Sequence, residues 1–302
     1  MEAQFCLLDG QVSQTPLILK VAGRTVHWRC QDAELSRQLL RPLAHLQMES
    51  GTAPELEIEI LAQPAQPVAD GVFFDFSPDG RFAGQRLPRS FSLFRRQPAK
   101  IIASYQPPEL LSLYELGRPL HAMLSLWLNQ MGAPLVHAGM VAVHGRGLLV
   151  AGPSGAGKTT TCLSALHQKQ RFLGDDMVAL DESFWAFSLY ATTFLLRAER
   201  EKRSWLGPEY LEPRYPWEDK TLTYLYPRFS DQLLQCAAVD ELLLPGRQAL
   251  NQQLPPIQAL LGLAPSSLLV GPLSAGQCGL ELLSRLVARV PCRGWPWGSN
   301  LC

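Results

Sequence analysis

Gly152-Pro153-Ser154-Gly155-Ala156-Gly157-Lys158-Thr159 is a complete phosphate-binding loop: a glycine, four spacers, then Gly-Lys-Thr. The glycines let successive backbone N–H groups converge on a phosphate chain, and the helix expected next adds partial positive charge at its N-terminus. Lys158 is placed to reach the β- and γ-phosphates, and the Thr159 hydroxyl to complete the shell of a Mg²⁺ ion. ATP and Mg²⁺ are therefore the expected cofactors. An incidental Gly-rich turn would lack the strand-like run 147–151 entering the loop and the helix-compatible run 160–166 leaving it.

Partner acids decide where the phosphate goes. Asp175 and Asp176 follow Lys158 after the length of one helix and a returning strand, which brings an acid back beside the loop. One carboxylate can hold Mg²⁺, and the other can take a proton from an attacking hydroxyl, the better for a pKa raised by its neighbour's charge. The bland reading of the pair is a solvated Asp-Asp turn.

The segment His137-Ala-Gly-Met-Val-Ala-Val-His-Gly-Arg-Gly-Leu-Leu-Val-Ala-Gly-Pro-Ser-Gly-Ala-Gly-Lys-Thr, followed by Phe-Leu-Gly-Asp175-Asp176-Met-Val, resembles the catalytic domain of HPr kinase/phosphorylase, a fold related to phosphoenolpyruvate carboxykinase. The strong part of the resemblance is residues 137–176, and a weaker likeness extends over 134–291. It implies that Lys158 and the amides of residues 155–160, Thr160 included, hold the triphosphate, with Thr159 on Mg²⁺. It further implies Asp175 as general base toward a serine hydroxyl, Asp176 assisting the metal, and His137 near the transferred phosphoryl group. A core or turn histidine is the competing reading of His137, because its strand neighbours are apolar. The family's Glu-x-Arg-Gly segment is absent. Glu199 falls at about the corresponding distance, but its charge run reads as a solvated helix face. The N-terminal portion shows no likeness to that of true HPr kinases, so the chain resembles divergent relatives that phosphorylate a serine on a peptide or a small molecule.

The elements that position these residues fall into two expected domains, an α+β accessory domain over 1–120 and a P-loop catalytic domain with a mixed sheet over 121–302. The fold class is α/β. Strands are expected at 17–21, 25–28, 56–61, 71–76, 90–94 and 101–104, and helices at 32–48 and 109–131. A strand at 135–143, a turn at 144–147, the loop strand, a strand over 171–180, and strands at 222–226 and 237–244 should follow. Helices at 256–263 and 279–290 end the pattern, the last stopped by Pro291.

Two motifs compete with this reading. Residues 273–277 resemble the signature of ABC-type ATPases, and Asp240-Glu241 closes a strand like a Walker B acid. Their order is reversed relative to an ABC ATPase, so 273–277 reads as a turn. Asp240 on Mg²⁺ remains the alternative chemistry, that of a regulatory or accessory NTPase that phosphorylates no acceptor. Lys220 reads by default as a surface lysine, with a second phosphate-side cation as the alternative.

Composition narrows the partners. Of 302 residues, 27 are basic and 27 acidic, so no general field attracts nucleic acid or an anionic membrane. The opening residues show no basic, apolar leader pattern, and the apolar stretch 257–273 is broken by Pro265, Gly271 and Pro272. Seven cysteines without a C-x-x-C pair read as reduced thiols in the cytoplasm. The expected partner is a peptide, protein or small-molecule hydroxyl acceptor, with room for a homo-oligomer.

Overall fold

The computed structural model describes residues 1, 15–65, 72–246, 251–267 and 276–296. The architecture is mixed α/β, as the sequence indicated. Strands β1 (Leu17–Val21), β2 (Arg24–Cys30), β3 (Gln47–Met48), β4 (Leu56–Ala62), β5 (Phe73–Phe76), β6 (Phe82–Leu87), β7 (Ser90–Arg95) and β8 (Lys100–Tyr105) form one sheet in the order β3-β1-β2-β4-β8-β7-β6-β5. β2 alternates, with Val26, Trp28 and Cys30 inward, whereas β8 is buried along its whole length. β6 was not among the expected strands.

Both long helices expected in this half are interrupted at proline. Asp32 caps helix α1 (Ala33–Leu40) through a 2.7 Å bond from the Leu35 amide, and the chain then tightens into a 3-10 turn over Arg41–Leu46. Pro42 has no amide to continue the α ladder. The second run divides into a 3-10 turn (Pro108–Leu110), α2 (Leu113–Gly117) and α3 (His121–Gln130). Ser112 and Glu115 form a reciprocal capping box on α2, and Pro119 stops it, with Leu120 turned to φ 57°.

Strands β9 (Leu135–Val136), β10 (Ala138–Val143), β11 (Arg146–Ala151), β12 (Arg171–Gly174), β13 (Val178–Leu180), β14 (Trp185–Ser188), β15 (Thr192–Leu196), β16 (Tyr210–Leu211), β17 (Lys220–Tyr224), β18 (Cys236–Ala238), β19 (Glu241–Gly246), β20 (Gln252–Gln253) and β21 (Cys292–Pro296) build three further sheets. The six-stranded one runs β12-β10-β11-β19-β21-β20 and is mixed: β10 and β11 are an antiparallel hairpin, while β11, β19 and β21 are parallel. Its hairpin turn, His144-Gly145, has both residues at positive φ, the geometry that matches strand twist. Helix α4 (Lys158–His167) covers one face of this sheet, where Val141, Val143, Leu148 and Val150 point; α6 (Pro256–Ser267) and α7 (Gly276–Arg289) cover the other, with Met140, Leu149 and Leu242. Between them in sequence lies the short α5 (Arg197–Glu201). The smaller sheets are β18-β14-β13-β9 and β15-β17-β16.

The expected strands at 135–143, 171–180 and 237–244 are each two strands in different sheets. Of the expected turn 273–277, residues 273–275 lie outside the described residues and Gly276 already opens α7. Cys6 and Cys302 also lie outside them; Cys30, Cys162, Cys236 and Cys292 are free thiols. Among the described residues no helix is long and apolar enough to cross a membrane. One buried cluster runs from Trp28, Leu39 and Phe94 through Trp127 to Tyr190, Leu222 and Tyr224, so the first sheet shares a core with strands of the second half.

Candidate active site

Hairpin strand β11 delivers the chain into the glycine loop, and α4 leaves it. Gly152, Gly155 and Gly157 sit at φ 142°, 78° and 105°, conformations that side chains on Cβ disfavour. Gly157 is also the N-cap of α4, and no side chain caps that end. The first helical amides are therefore available to an anion, which is the electrostatics a phosphate chain requires. Lys158 is only 6% exposed, and its ammonium donates to the carbonyls of Gly152 (2.8 Å) and Pro153 (3.2 Å). Burial lowers its pKa, while Asp176 and Asp175 nearby oppose that shift.

The other half of the site forms where two paired strands change sheets together. β10 pairs with β12, Met140 opposite Gly174; β9 pairs with β13, Val136 opposite Val178. The first pair belongs to the six-stranded sheet and the second to the four-stranded one. His137 fills the break between β9 and β10, and Asp175-Asp176-Met177 the break between β12 and β13. The two breaks face each other, and His137 Nε2 lies 2.7 Å from Asp176 Oδ1. Gly139 makes the approach possible: a Cβ there would run into Cys162 Sγ and come within 3.1 Å of Asp175 Cα.

The adjacent acids have opposite surroundings. Asp175 is 5% exposed; Thr193 Oγ1 donates to it at 2.6 Å, and Thr159 stands close enough to act on the same carboxylate. Burial, then the like charge of Asp176, push its pKa up to about 6. Asp176 turns toward the cleft. Burial would raise it too, but ion pairing with the Arg118 guanidinium and hydrogen bonding to His137 outweigh this and hold it well below the usual carboxylate range.

A cleft of about 470 Å³ opens over these groups, lined among others by Arg118, His137, Ser154, Asp176, Phe194, Trp217 and Lys220. Its size falls in the range of about 300–1,000 Å³ usual for ligand sites. Loop, lysine, acids and His137 thus meet in one place. Lys220 is an exposed lysine, as the default reading had it, and it also lines the cleft near Lys158. Glu199 pairs instead with Lys202 (2.8 Å) and Arg203 (2.7 Å) on the solvated face of α5.

Asp240 lies at the wrong end of its strand for the alternative chemistry. Its carboxylate accepts the Gly147 amide at 2.7 Å, and the parallel register sets Leu148 beside Glu241. The loop leaves the opposite end of β11, roughly 13 Å of strand away at about 3.3 Å per residue.

Arg118 and Thr193 escaped the sequence reading. Taken as one helix, residues 109–131 put Arg118 on a solvent-facing turn. The interruption before Pro119 swings it onto Asp176, where its guanidinium also covers the Phe194 ring at 4.8 Å. Gly-Arg-Pro within an apolar helical run was the available signal. Thr193, in β15, gave none.

No protein-family model matches the chain. HPr kinase/phosphorylase from Halalkalibacterium halodurans is 36% identical over 87 residues, a match covering 24% of this chain and 28% of that protein. The chain thus matches less than a third of that relative's length. Among solved structures, the Hpr(Ser) kinase/phosphatase from Coxiella burnetii aligns over 54% of this chain and 86% of that one, at 12% identity and a TM-score of 0.29. The resemblance to HPr kinase/phosphorylase read from the sequence is found again in the curated relative.

Proposed function

We propose that the protein is an ATP-dependent phosphotransferase acting on a hydroxyl, serine first among acceptors. The observation that carries this is the meeting of an uncapped loop-helix N-terminus, Lys158, and two acids of divergent acidity beside His137 in one open cleft.

The residues present fit Mg-ATP. The α4 amides lack a capping side chain, and Thr159 and the acid pair stand at the loop. Among the described residues no cluster of three or more His, Cys, Asp or Glu is arranged to hold a metal. Mg²⁺ bound with nucleotide phosphates needs only one or two carboxylates from the protein. When bound, Mg-ATP supplies the phosphoryl group and a divalent charge that offsets the charge developing in transfer.

The chain's own residues do the rest. The amides of residues 155–160 orient the phosphates, and Lys158 neutralises charge at the transferred end. Asp175, with a pKa near the working range, accepts the acceptor's hydroxyl proton. Asp176 stays ionised under Arg118 and would hold Mg²⁺ when it is bound, with His137 fixing its orientation. A second reading exchanges the two acids: Asp175 stands beside Thr159, the expected metal-side residue, and Asp176 lines the cleft where an acceptor would enter.

The test is transfer of γ-labelled phosphate to acceptors by wild type, Asp175→Asn and Asp176→Asn, with Mg-ATP affinity measured in parallel. The variant lacking the base should lose transfer by about 10²-fold or more at unchanged nucleotide affinity; the one lacking the metal ligand should bind Mg-ATP more weakly. Label released only to water, with every acceptor tried, would replace the kinase by the regulatory NTPase.

A further inference from the structure

The cleft has a second lobe that phosphoryl transfer does not use. It encloses about 200 Å³ and shares Ser112, Tyr114 and Trp217 with the larger lobe. From that common wall it runs to the first sheet, against Val72, Leu87 and Pro88, with Tyr215 alongside. The charged groups in its lining are engaged elsewhere. The Glu115 carboxylate accepts from Ser90 Oγ (2.7 Å), the Ser112 amide (3.0 Å) and Ser112 Oγ (2.8 Å), and Arg89 donates to Gln106 at 3.0 Å. The surface left is apolar and aromatic.

Trp217 is 64% exposed, yet it is held. Its ring stacks on Tyr215 with centroids 4.6 Å apart and planes 2° from parallel. The loop carrying both is fastened to the chain before α2: Glu218 accepts the Leu113 amide (2.5 Å) and the Arg214 amide (2.7 Å), while Arg214 donates to the carbonyls of Pro108 (2.7 Å) and Leu111 (2.9 Å). A fixed, exposed aromatic beside an apolar hollow is the form of a binding anchor. A cavity of about 150 Å³ takes up benzene, so this lobe is the size of one aromatic or branched aliphatic side chain.

We infer that this lobe is an acceptor subsite for a large apolar side chain, and that the acceptor is a peptide with such a residue within two positions of the phosphorylated serine or threonine. The inference rests on the kinase reading and names its substrate class. The wall of Tyr114 and Trp217 separates the hydroxyl lobe from the apolar lobe. A ligand filling both must send two groups down from a stem that passes over the wall. An extended peptide does this, because alternate side chains leave one face at about 6.5–7 Å spacing.

The experiment measures binding and transfer separately. Heptapeptides with Ala in place of the acceptor serine, and Phe, Leu, Ala or Asp two residues to either side, are titrated calorimetrically into the full chain with ADP present. The expected result is at least tenfold tighter binding of the Phe and Leu peptides from one side. Trp217→Ala and Leu87→Glu should each erase that preference; Trp217 is exposed enough that its replacement leaves the core intact. The serine versions should show the same order in kcat/KM for label transfer from ATP. Equal affinities across the series overturn the subsite whether or not label moves. Equal transfer to every peptide overturns it while leaving the kinase standing. Selective binding with no label on any serine peptide instead overturns the kinase reading beneath it.

Discussion

Asp175 and Asp176 are adjacent carboxylates whose pKa values their surroundings drive in opposite directions. The consequences can be measured. If Asp175 is the base, kcat/KM rises with pH through about 6 and levels off above it. Asp176→Asn removes the like charge and leaves Arg118 without its partner, and both changes lower the Asp175 pKa. The rise in the residual kcat/KM should move to lower pH; a rise that stays in place would show that another group titrates. Stability runs the other way. Because the folded pKa of Asp175 is raised above its ordinary 3.8, its contribution is fully present below that value and is lost as pH increases through about 6. Asp175→Asn should therefore be more stable than wild type at pH 8, by on the order of 3 kcal/mol, with the gap closing near pH 4. Asp-Asp was legible as a pair in the sequence. Which member is buried was not, since Thr193 and Arg118 come from distant segments.

At the scale of elements, the site depends on two strand pairs changing sheets at one level. Apolar runs such as 135–143 read as single strands because both halves are buried, and burial leaves no alternation to mark the handover. Gly139 is the residue that the handover constrains. Gly139→Ala should destabilise the protein by about 1–3 kcal/mol through overpacking and abolish transfer, because the new methyl presses on Cys162 and the Asp175 backbone. Gly147→Ala is the control. Its Cβ would collide with the Ala238 carbonyl oxygen and lie 2.7 Å from Met140 Cε, at the far end of the same hairpin. It should cost more stability than Gly139→Ala, because the clash is with backbone, while the folded fraction keeps its turnover. Activity normalised to folded protein by thermal melts separates the two, and equal specific losses would refute the special role of Gly139. Proline shaped the helices in the same way: Pro42 and Pro119 ended runs that apolar spacing alone would have continued.

Across the whole molecule, the first sheet is joined to the half that carries the candidate site by shared core and by the loop carrying Trp217. Glu218 is the fastening point, receiving backbone amides from Leu113, Arg214 and Tyr215. Glu218→Ala removes the acceptor shared by those three amides, which water can then reach, at a cost of about 1 kcal/mol. It should raise KM for the acceptor more than KM for ATP, since Glu218 fastens the Trp217 loop and makes no hydrogen bond to the glycine loop, and should make residues 212–219 cleave faster in limited proteolysis. An equal rise in both constants would mean the loop supports the nucleotide side as well. This linkage could not be read in advance. Residues 112–113 and 214–218 are each unremarkable locally, and only the closed fold brings them together.

The glycine loop, its strand and helix, the acid pair behind it and the mixed α/β class are legible in contiguous residues, because their backbone needs are local. Glycine at a positive-φ position and an amide-rich helix start require no distant partner to be recognised. The tertiary structure alone decided that Arg118 holds Asp176, that Thr193 reaches Asp175, that Asp240 faces away from the loop and that Lys220 faces the cleft. Those outcomes depend on sheet register and on which breaks coincide, and register is set by packing between segments far apart in the chain.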